Sequence, residues 1–310
     1  MVLIDWWSPE PHAEFNKVFF NLFPSPTKLF VFNKKLSDLS SRCVVKKNYK
    51  SRLFRALSVI KICWKHRDEK IFFVSYDVLF IPILQLFVSK IFCYEHNTTP
   101  EKKHNKHAIW QRITFFRIIR CCQSKSQNEM LLKLKQKTFW LGLPISEYKN
   151  LHRIDKDPAF IIASEQSKLS DFKFLLPKLY GKIIVKKSLS IPESDKHTRY
   201  EIVDRIEIPE HFKRTESIII SLQSSTRSTG WYNEAISYGI PLIILYPTQQ
   251  KVFESTFPDY PYIKGDAINC KEDLRKKIKK IKSFDNKNYI DSYMRNIEVR
   301  FSSLLDLNKI

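Results

Sequence analysis

At 310 residues the chain is long enough for two ordinary domains, and with 43% hydrophobic and 14% aromatic residues it has the apolar surface to build them. That composition excludes intrinsic disorder, and five glycines against fifteen prolines leave little material for a glycine-rich phosphate loop. With 53 Lys+Arg against 32 Asp+Glu the net charge is +21, which admits nucleic acid, an anionic membrane or a phosphorylated small molecule as partner, beside an ordinary solvated lysine surface.

The N-terminus, MVLIDWWSPEPH, brings an acid at Asp5 and no basic run, unlike a signal peptide. A strand over 2–5 puts Asp5 at its end, either facing a cleft or capping the next turn. A second strand is expected over 28–32. Between 46 and 65 a helix (51–64) carries Leu53, Leu57, Ile60 and Trp64 on one face, expected to pack on a sheet, with Lys50, Arg52, Arg55, Lys61 and Lys65 around it, a combination that also suits contact with a membrane surface. The stretch 71–94 is long enough to cross a membrane, but Asp77, Pro82, Gln85 and Lys90 interrupt it. It parses better as strand 71–75, helix 78–89 and strand 91–94, with Pro82 early in the helix. His96 follows that last strand, and Glu95, its neighbour, is expected to point to the opposite face.

Residues 102–120, KKHNKHAIWQRITFFRIIR, combine positive charge with an amphipathic run. Lys102, Lys103, Lys106, Trp110, Phe115 and Phe116 are the expected membrane contacts of a protein lying on a lipid surface. A helix over 127–135 and a strand over 138–141 close the first half. The loop 143–157 separates it from a new strand–helix rhythm, with strands at 160–163, 182–186, 201–206, 217–221 and 242–245 and an amphipathic helix over 288–305 at the end. Two domains, 1–150 and 151–310, follow from this. The first holds 26 Lys+Arg and 11 Asp+Glu, the second 27 and 21, so most of the excess charge lies in the first. The six cysteines show no CxxC or CxxH spacing, and no paired carboxylates of DxD type stand at a strand end, so neither a zinc site nor a catalytic metal is expected.

The most informative segment is 217–247, SIIISLQSSTRSTGWYNEAISYGIPLIILYP. An apolar strand runs into a turn made of Ser224, Ser225, Thr226, Arg227, Ser228 and Thr229, and a helix starts near Trp231. Hydroxyls and backbone N–H groups at a helix start bind anions, although the same residues also serve as plain caps. Glu234 sits one turn into the helix, where a carboxylate can accept hydrogen bonds from a diol or simply face solvent.

EAISYGIPLI resembles the EA-(small)-x-G-(I/V)-P-(V/L)-I segment of GT-B-fold glycosyltransferases, in part those of family 4. The hydroxyl-rich turn before it resembles the phosphate-binding turns of enzymes that build bacterial surface polysaccharides. The segment YDVLFIPILQLFVSKIFCYEHNTTP is similar to the family's strand–helix–strand element ending in aromatic–x–His–(Asn/Asp). The resemblance implies an α/β protein of two Rossmann-like domains facing each other across a cleft. It further implies a nucleotide-sugar co-substrate and no other cofactor. Glu234 is then placed on the ribose, the Ser/Thr turn with Arg227 and either Lys186 or Lys187 on the diphosphate, and His96 and Asp5 near the reacting groups. Family 4 members carry a second Glu eight residues before the first; here that position is Thr226, which leaves retaining chemistry and a UDP donor open.

A polyprenyl-linked saccharide acceptor, capsule or O-antigen assembly, and a peripheral place on the cytoplasmic face of a bacterial inner membrane complete what the resemblance implies. Two other readings stand beside it. One is a GT-B-fold nucleotide-sugar epimerase. The other is a non-enzymatic polyanion-binding protein, for which no named nucleic-acid motif is present.

Overall fold

The structure, a computed structural model, describes all residues except 9–11, 24–26, 35, 37–42, 97–99, 101–102, 153, 155–156, 164–168, 188–199, 225–228 and 307–310. The chain divides into two compact units, Met1–Ser146 with Met294–Ile310, and Glu147–Tyr293. The first crossing falls close to residue 150, but the end of the chain, expected wholly in the second domain, groups with the first. The reason is aromatic packing: Phe301 meets Phe23 at 4.3 Å and Phe72 at 6.0 Å between ring centroids.

Unit 1 is built on seven parallel strands: β1 (Val2–Asp5), β2 (Lys28–Val31), β3 (Cys43–Val45), β4 (Ile71–Ser75), β5 (Ile91–Tyr94), β6 (Ile119–Cys122) and β7 (Thr138–Trp140). Their order is β3-β2-β1-β4-β5-β6-β7. The connections carry α1 (His12–Asn21), α2 (Arg52–Lys65), a 3₁₀ segment Ile81–Leu86, α3 (Lys106–Thr114) and α4 (Lys125–Lys133). Strands such as IFFVS are apolar without alternation because both sheet faces are covered. On one face Ile4, Phe73 and Cys93 pack with Ala56, Val59 and Ile62 of α2 and with Ile81 and Leu84. On the other, Phe19 of α1 meets Tyr94 at 4.6 Å and Phe72 at 5.7 Å.

Unit 2 repeats the plan with β8 (Ala159–Ile162), β9 (Lys182–Lys186), β10 (Tyr200–Val203), β11 (Thr215–Ile220), β12 (Leu242–Ile244) and β13 (Ile263–Lys264), in the order β10-β9-β8-β11-β12-β13, all parallel. Helices α5 (Gly230–Ser237), α6 (Pro247–Thr256) and α7 (Lys271–Lys282) connect or flank them, and Leu274, Ile278 and Ile281 of α7 close the core over Phe160, Ile183 and Ile243. The last helix, α8 (Asn286–Asp306), starts two residues before its predicted bound. In both sheets the strand order reverses beside the first strand, and ligands of open α/β sheets bind at the carboxyl ends of such strands.

Three differences from the sequence reading have local causes. The helix expected over 78–89 shrinks to one 3₁₀ segment, where Ile83 N–H donates to Phe80 O and Phe87 N–H to Leu84 O at i→i+3 spacing. Pro82 has no N–H to give an α-helix there. The run 102–120 is not one amphipathic element: α3 ends at Thr114 and β6 begins at Ile119. On α2 the buried residues are Ala56, Val59, Ile62 and Cys63, so Leu53, Leu57 and Trp64, expected to face the sheet, stand exposed instead. The smaller residues allow the helix to approach the strands closely, and the large ones are left outside. Among the described residues no helix is long and apolar enough to cross a membrane.

Candidate functional site

In unit 2, β11 delivers the chain to the carboxyl edge as a buried apolar strand, and Ser221 and Ser224 follow it, both buried. Ser225, Thr226, Arg227 and Ser228 lie outside the described residues. Thr229 then caps α5: its Oγ1 accepts from Trp231 N–H at 3.4 Å, the role a Ser/Thr side chain plays at a helix start. Among the described residues nothing stands within 4 Å of where a side chain would begin at Gly230, while the next two amides of α5 are engaged by Thr229, Trp231 N–H by its Oγ1 and Tyr232 N–H by its carbonyl at 3.1 Å. The inner face of α5 is fixed by Tyr232, Ala235 and Ile236, and Tyr232 packs on Phe253 at 4.8 Å. Glu234 is half-buried in the second turn.

The helix must stop in time for β12 to begin, and Gly239 does this at φ +61°, a conformation that L side chains rarely adopt. Lys186 ends β9, so it reaches the same carboxyl edge as the end of β11. Lys187 is turned to the surface, where its ammonium lies 3.7 Å from Asp204 with both groups exposed. A pair of that kind is worth little.

In unit 1 the carboxyl edge is densely hydrogen-bonded. Asp5, fully buried, accepts from Ser8 N–H at 3.1 Å, from Asn16 Nδ2 at 2.7 Å and from the Ser75 hydroxyl. Ser8, at φ +42°, donates its hydroxyl to Asp5 O and accepts from Phe32 N–H at 2.9 Å. The carboxylate thus clamps the turn after β1 onto β4 and α1, and the Ser8 hydroxyl ties the same turn to the residue after β2. After β5, His96 is half-buried, stands edge-on to Tyr94 at 5.1 Å, and donates from Nε2 to Val74 O at 2.9 Å. Because a carbonyl only accepts, that bond puts the proton on Nε2 and, in the neutral ring, the basic lone pair on Nδ1.

Glu95 turns away from His96, as strand alternation requires. It forms a bidentate pair with Arg120, 2.7 Å for each bond, and accepts from Tyr76 OH at 2.6 Å; Arg120 also donates to Gln111. All four side chains are buried. Burial works against the Arg120 charge, but the Glu95 carboxylate more than offsets it and holds the guanidinium above its ordinary pKa. Burial first, and then Glu95, push the Tyr76 hydroxyl up, so it stays a donor. The backbone of Glu95 is held as well, its N–H by Cys121 O at 2.9 Å and its carbonyl by Gln127 Nε2 at 3.3 Å. Sequence reasoning missed this network, although one signal was present: Arg120 is a full charge between Ile118–Ile119 and Cys121–Cys122 in a strand-like run.

Of the expected membrane contacts, Lys103, Lys106, Trp110 and Phe116 are exposed, while Lys102 lies outside the described residues. Phe115 is a correction. It is fully buried, with the Arg120 guanidinium 5.3 Å above its ring and Tyr76 at 6.1 Å, because the chain turns inward between α3 and β6.

No family model matches the chain, and no curated protein matches it in sequence. Among solved structures it is similar to Alr3699/HepE of Anabaena in complex with UDP-glucose, with a TM-score of 0.66 at 10% identity over 98% of both chains. A glycosyltransferase from Rickettsia africae matches with a TM-score of 0.58 at 8% identity, over 99% of this chain and 97% of that one. An O-GlcNAc transferase mutant of Thermobaculum terrenum matches with 0.55 at 8% identity, over 99% of this chain and 68% of that one. At such identities these likenesses show the fold, two Rossmann-like units of GT-B type, as the sequence resemblance implied.

Proposed function

We propose that this protein is a glycosyltransferase that takes a sugar from a nucleotide-sugar held by unit 2 and passes it to a lipid-linked saccharide held by unit 1. The observation that carries the reading is the β11–α5 connection. There a buried Ser224, a capping Thr229, a Gly230 with space beside it among the described residues and Glu234 one turn on stand at the carboxyl edge of the sheet. The fold around it matches, over 98% of the chain, a structure holding UDP-glucose. On this reading Glu234 accepts from the ribose hydroxyls. The positive end of α5, the Ser/Thr turn and a cation, Lys186, Lys187 or Arg227, take up the charge that develops as the nucleotide leaves.

In the transfer itself the acceptor oxygen forms a bond to the anomeric carbon as the bond to the nucleotide's phosphate oxygen breaks. His96 Nδ1 receives the acceptor's proton if the reaction inverts. Asp5 is assigned a positioning role, since both its oxygens are engaged in the turn after β1. Neither a metal nor another cofactor enters this scheme. A lipid-linked acceptor places the work at a membrane surface. Capsule or O-antigen assembly on the cytoplasmic face of a bacterial inner membrane is the proposed setting.

A thermal-shift panel of UDP-, GDP-, dTDP- and CMP-sugars tests the donor half. A ligand at a hundredfold its Kd stabilises by about 2.7 kcal/mol, a rise of several degrees. One nucleotide class should give that rise in the wild type and lose most of it in Glu234→Ala. No response to any of them would refute the donor site. Conversion of the sugar-nucleotide with no acceptor added would favour an epimerase.

A further inference from the structure

Among the described residues, fourteen large apolar side chains stand exposed in unit 1 and four in unit 2. Those of unit 1 are concentrated on neighbouring elements. The apolar residues that α2 leaves outside include Leu53, Leu57 and Trp64, each more than half exposed. Trp64 lies 5.3 Å from Phe87, just after the 3₁₀ segment Ile81–Leu86, whose Leu86 is 81% exposed. That segment is joined in turn to the end of α3, because Gln85 donates to Thr114 O and accepts from Arg117 N–H at 2.8 Å. There Ile113 and Phe116 are exposed at 69% and 56%. α2 and the 3₁₀ segment pack over one buried core, to which Phe115 and Ile118 just after α3 also belong, and all three consecutive crossovers turn large apolar side chains outward. Apolar patches of this kind on a folded domain mark an interaction site.

The charge around the patch selects the occupant. From 46 to 67 the chain has eight Lys+Arg and no Asp or Glu, and from 102 to 128 seven and none; of these, Arg52 is paired with Asp77 and Arg120 is buried against Glu95, and the others supply the charge of the face. Several of these cations lie against the apolar groups themselves, Arg67 5.1 Å over Trp64 and Arg117 5.5 Å over Phe116. A second copy meeting this face would bring the same positive charge, and a nucleic acid would engage the cations but gain nothing from leucine and isoleucine. An anionic bilayer satisfies both, with phosphates for the guanidinium and ammonium groups and acyl boundary for the apolar ones.

We infer that α2, the 3₁₀ segment Ile81–Leu86 and the end of α3 form one face that lies on an anionic lipid surface. The face adds the 3₁₀ segment Ile81–Leu86 to the two basic segments, 46–65 and 102–120, that suit a membrane surface from sequence, and Phe115 is no part of it. The inference rests on the membrane half of the proposed function and not on the transfer chemistry.

The test is co-sedimentation of the full chain with vesicles of phosphatidylcholine containing about 30% phosphatidylglycerol, compared with phosphatidylcholine alone. The wild type should pellet with the anionic vesicles at low salt and bind the neutral ones about tenfold less. The triple variant Leu57→Glu, Leu86→Glu, Ile113→Glu should lose about tenfold or more of that binding. Its sites are exposed, so its melting temperature and its response to nucleotide-sugar should match the wild type. Phe174→Glu with Ile202→Glu, exposed apolar sites of unit 2, should leave vesicle binding unchanged. A wild type that stays in the supernatant, or a triple variant that binds as well as it does, overturns the inference even if the nucleotide-sugar shift is intact. So does a dimer that the triple variant dissolves without any vesicle binding, or retention on duplex DNA in place of vesicles. Vesicle binding without any nucleotide response would sink the donor site and leave this face standing.

Discussion

The two units repeat one strand order, and they differ in what they bury at and behind the carboxyl edge. Unit 1 buries Asp5, Asp77, Glu95 and Arg120; among the described residues unit 2 buries no charged side chain, only hydroxyls and amides such as Ser221, Ser224, Ser237 and Gln249. A buried charge is tolerable only when fully partnered, so each of those in unit 1 is committed to a local structure. Asp5 holds the turn after β1, Asp77 takes a bidentate bond from Arg52, and Glu95 with Arg120 braces the ends of β5 and β6. A hydroxyl needs less. Bound once, it still has donor or acceptor capacity for a phosphate oxygen, which is what a nucleotide site requires of a loop. The contrast separates a rigidified edge from a receptive one.

The largest expected effect breaks the rigid edge. Arg120→Leu strands Glu95 as an unpaired buried charge and should lower unfolding stability by about 3–5 kcal/mol in urea titration. Replacing both, Glu95→Leu with Arg120→Leu, should cost less than the sum of the singles, because no charge is then left behind. Strict additivity would show that the two do not act as a pair.

Next comes a backbone test of unit 2. Gly181 turns into β9 at φ +76°, and a Cβ there would overlap the Pro158 carbonyl oxygen that pairs with Lys182 N–H. Gly181→Ala should therefore cost more than about 2 kcal/mol and weaken nucleotide binding with it, whereas unit 1 variants change stability alone. A smaller loss is expected from Asp5→Asn, where an amide nitrogen replaces one of the two acceptor oxygens that together face three donors. About 1–3 kcal/mol should disappear from the denaturation free energy. A neutral outcome would free Asp5 for a direct part in the reaction.

The fold was legible where residue pattern and burial coincide. The strand at 71–75 is an apolar run buried on both faces, that at 182–186 has a buried Ile–Ile–Val centre between two lysines, and the bounds of both match the structure residue for residue. Short or charged elements were not legible. β3 has three residues, β13 has two, and β6 hides an arginine whose partner lies 25 positions away. Helix orientation failed on α2 for a related reason. Periodicity shows that residues share a face, and it does not reveal whether Leu53, Leu57 and Trp64 or the smaller Ala56, Val59 and Cys63 turn inward. At the candidate site the order strand, hydroxyl turn, Glu-bearing helix, Gly–x–Pro was readable because each step has a local cause. The hydrogen bond that fixes the His96 tautomer comes from β4 and has no local trace.

The smallest effect is chemical, and it sharpens the same contrast. Unit 1 has five cysteines and unit 2 one; Cys63, Cys93, Cys121 and Cys122 are buried, Cys43 is half-buried and Cys270 is exposed. Burial pushes the Cys43 thiol up to about 11, and its Sγ lies 3.4 Å from Leu36 O. Only the thiolate attacks a disulfide reagent, so at pH 8 about a thousandth of Cys43 is reactive at any instant. A raised pKa also gives the sign of the pH dependence, the Cys43 rate climbing about tenfold per unit until the pH approaches 11. Titration of the native chain with Ellman's reagent should therefore show one fast thiol, absent in Cys270→Ser, then a slow one, and four more only after denaturation. Two fast thiols in the native chain would mean that the first unit opens where its packing says it is closed.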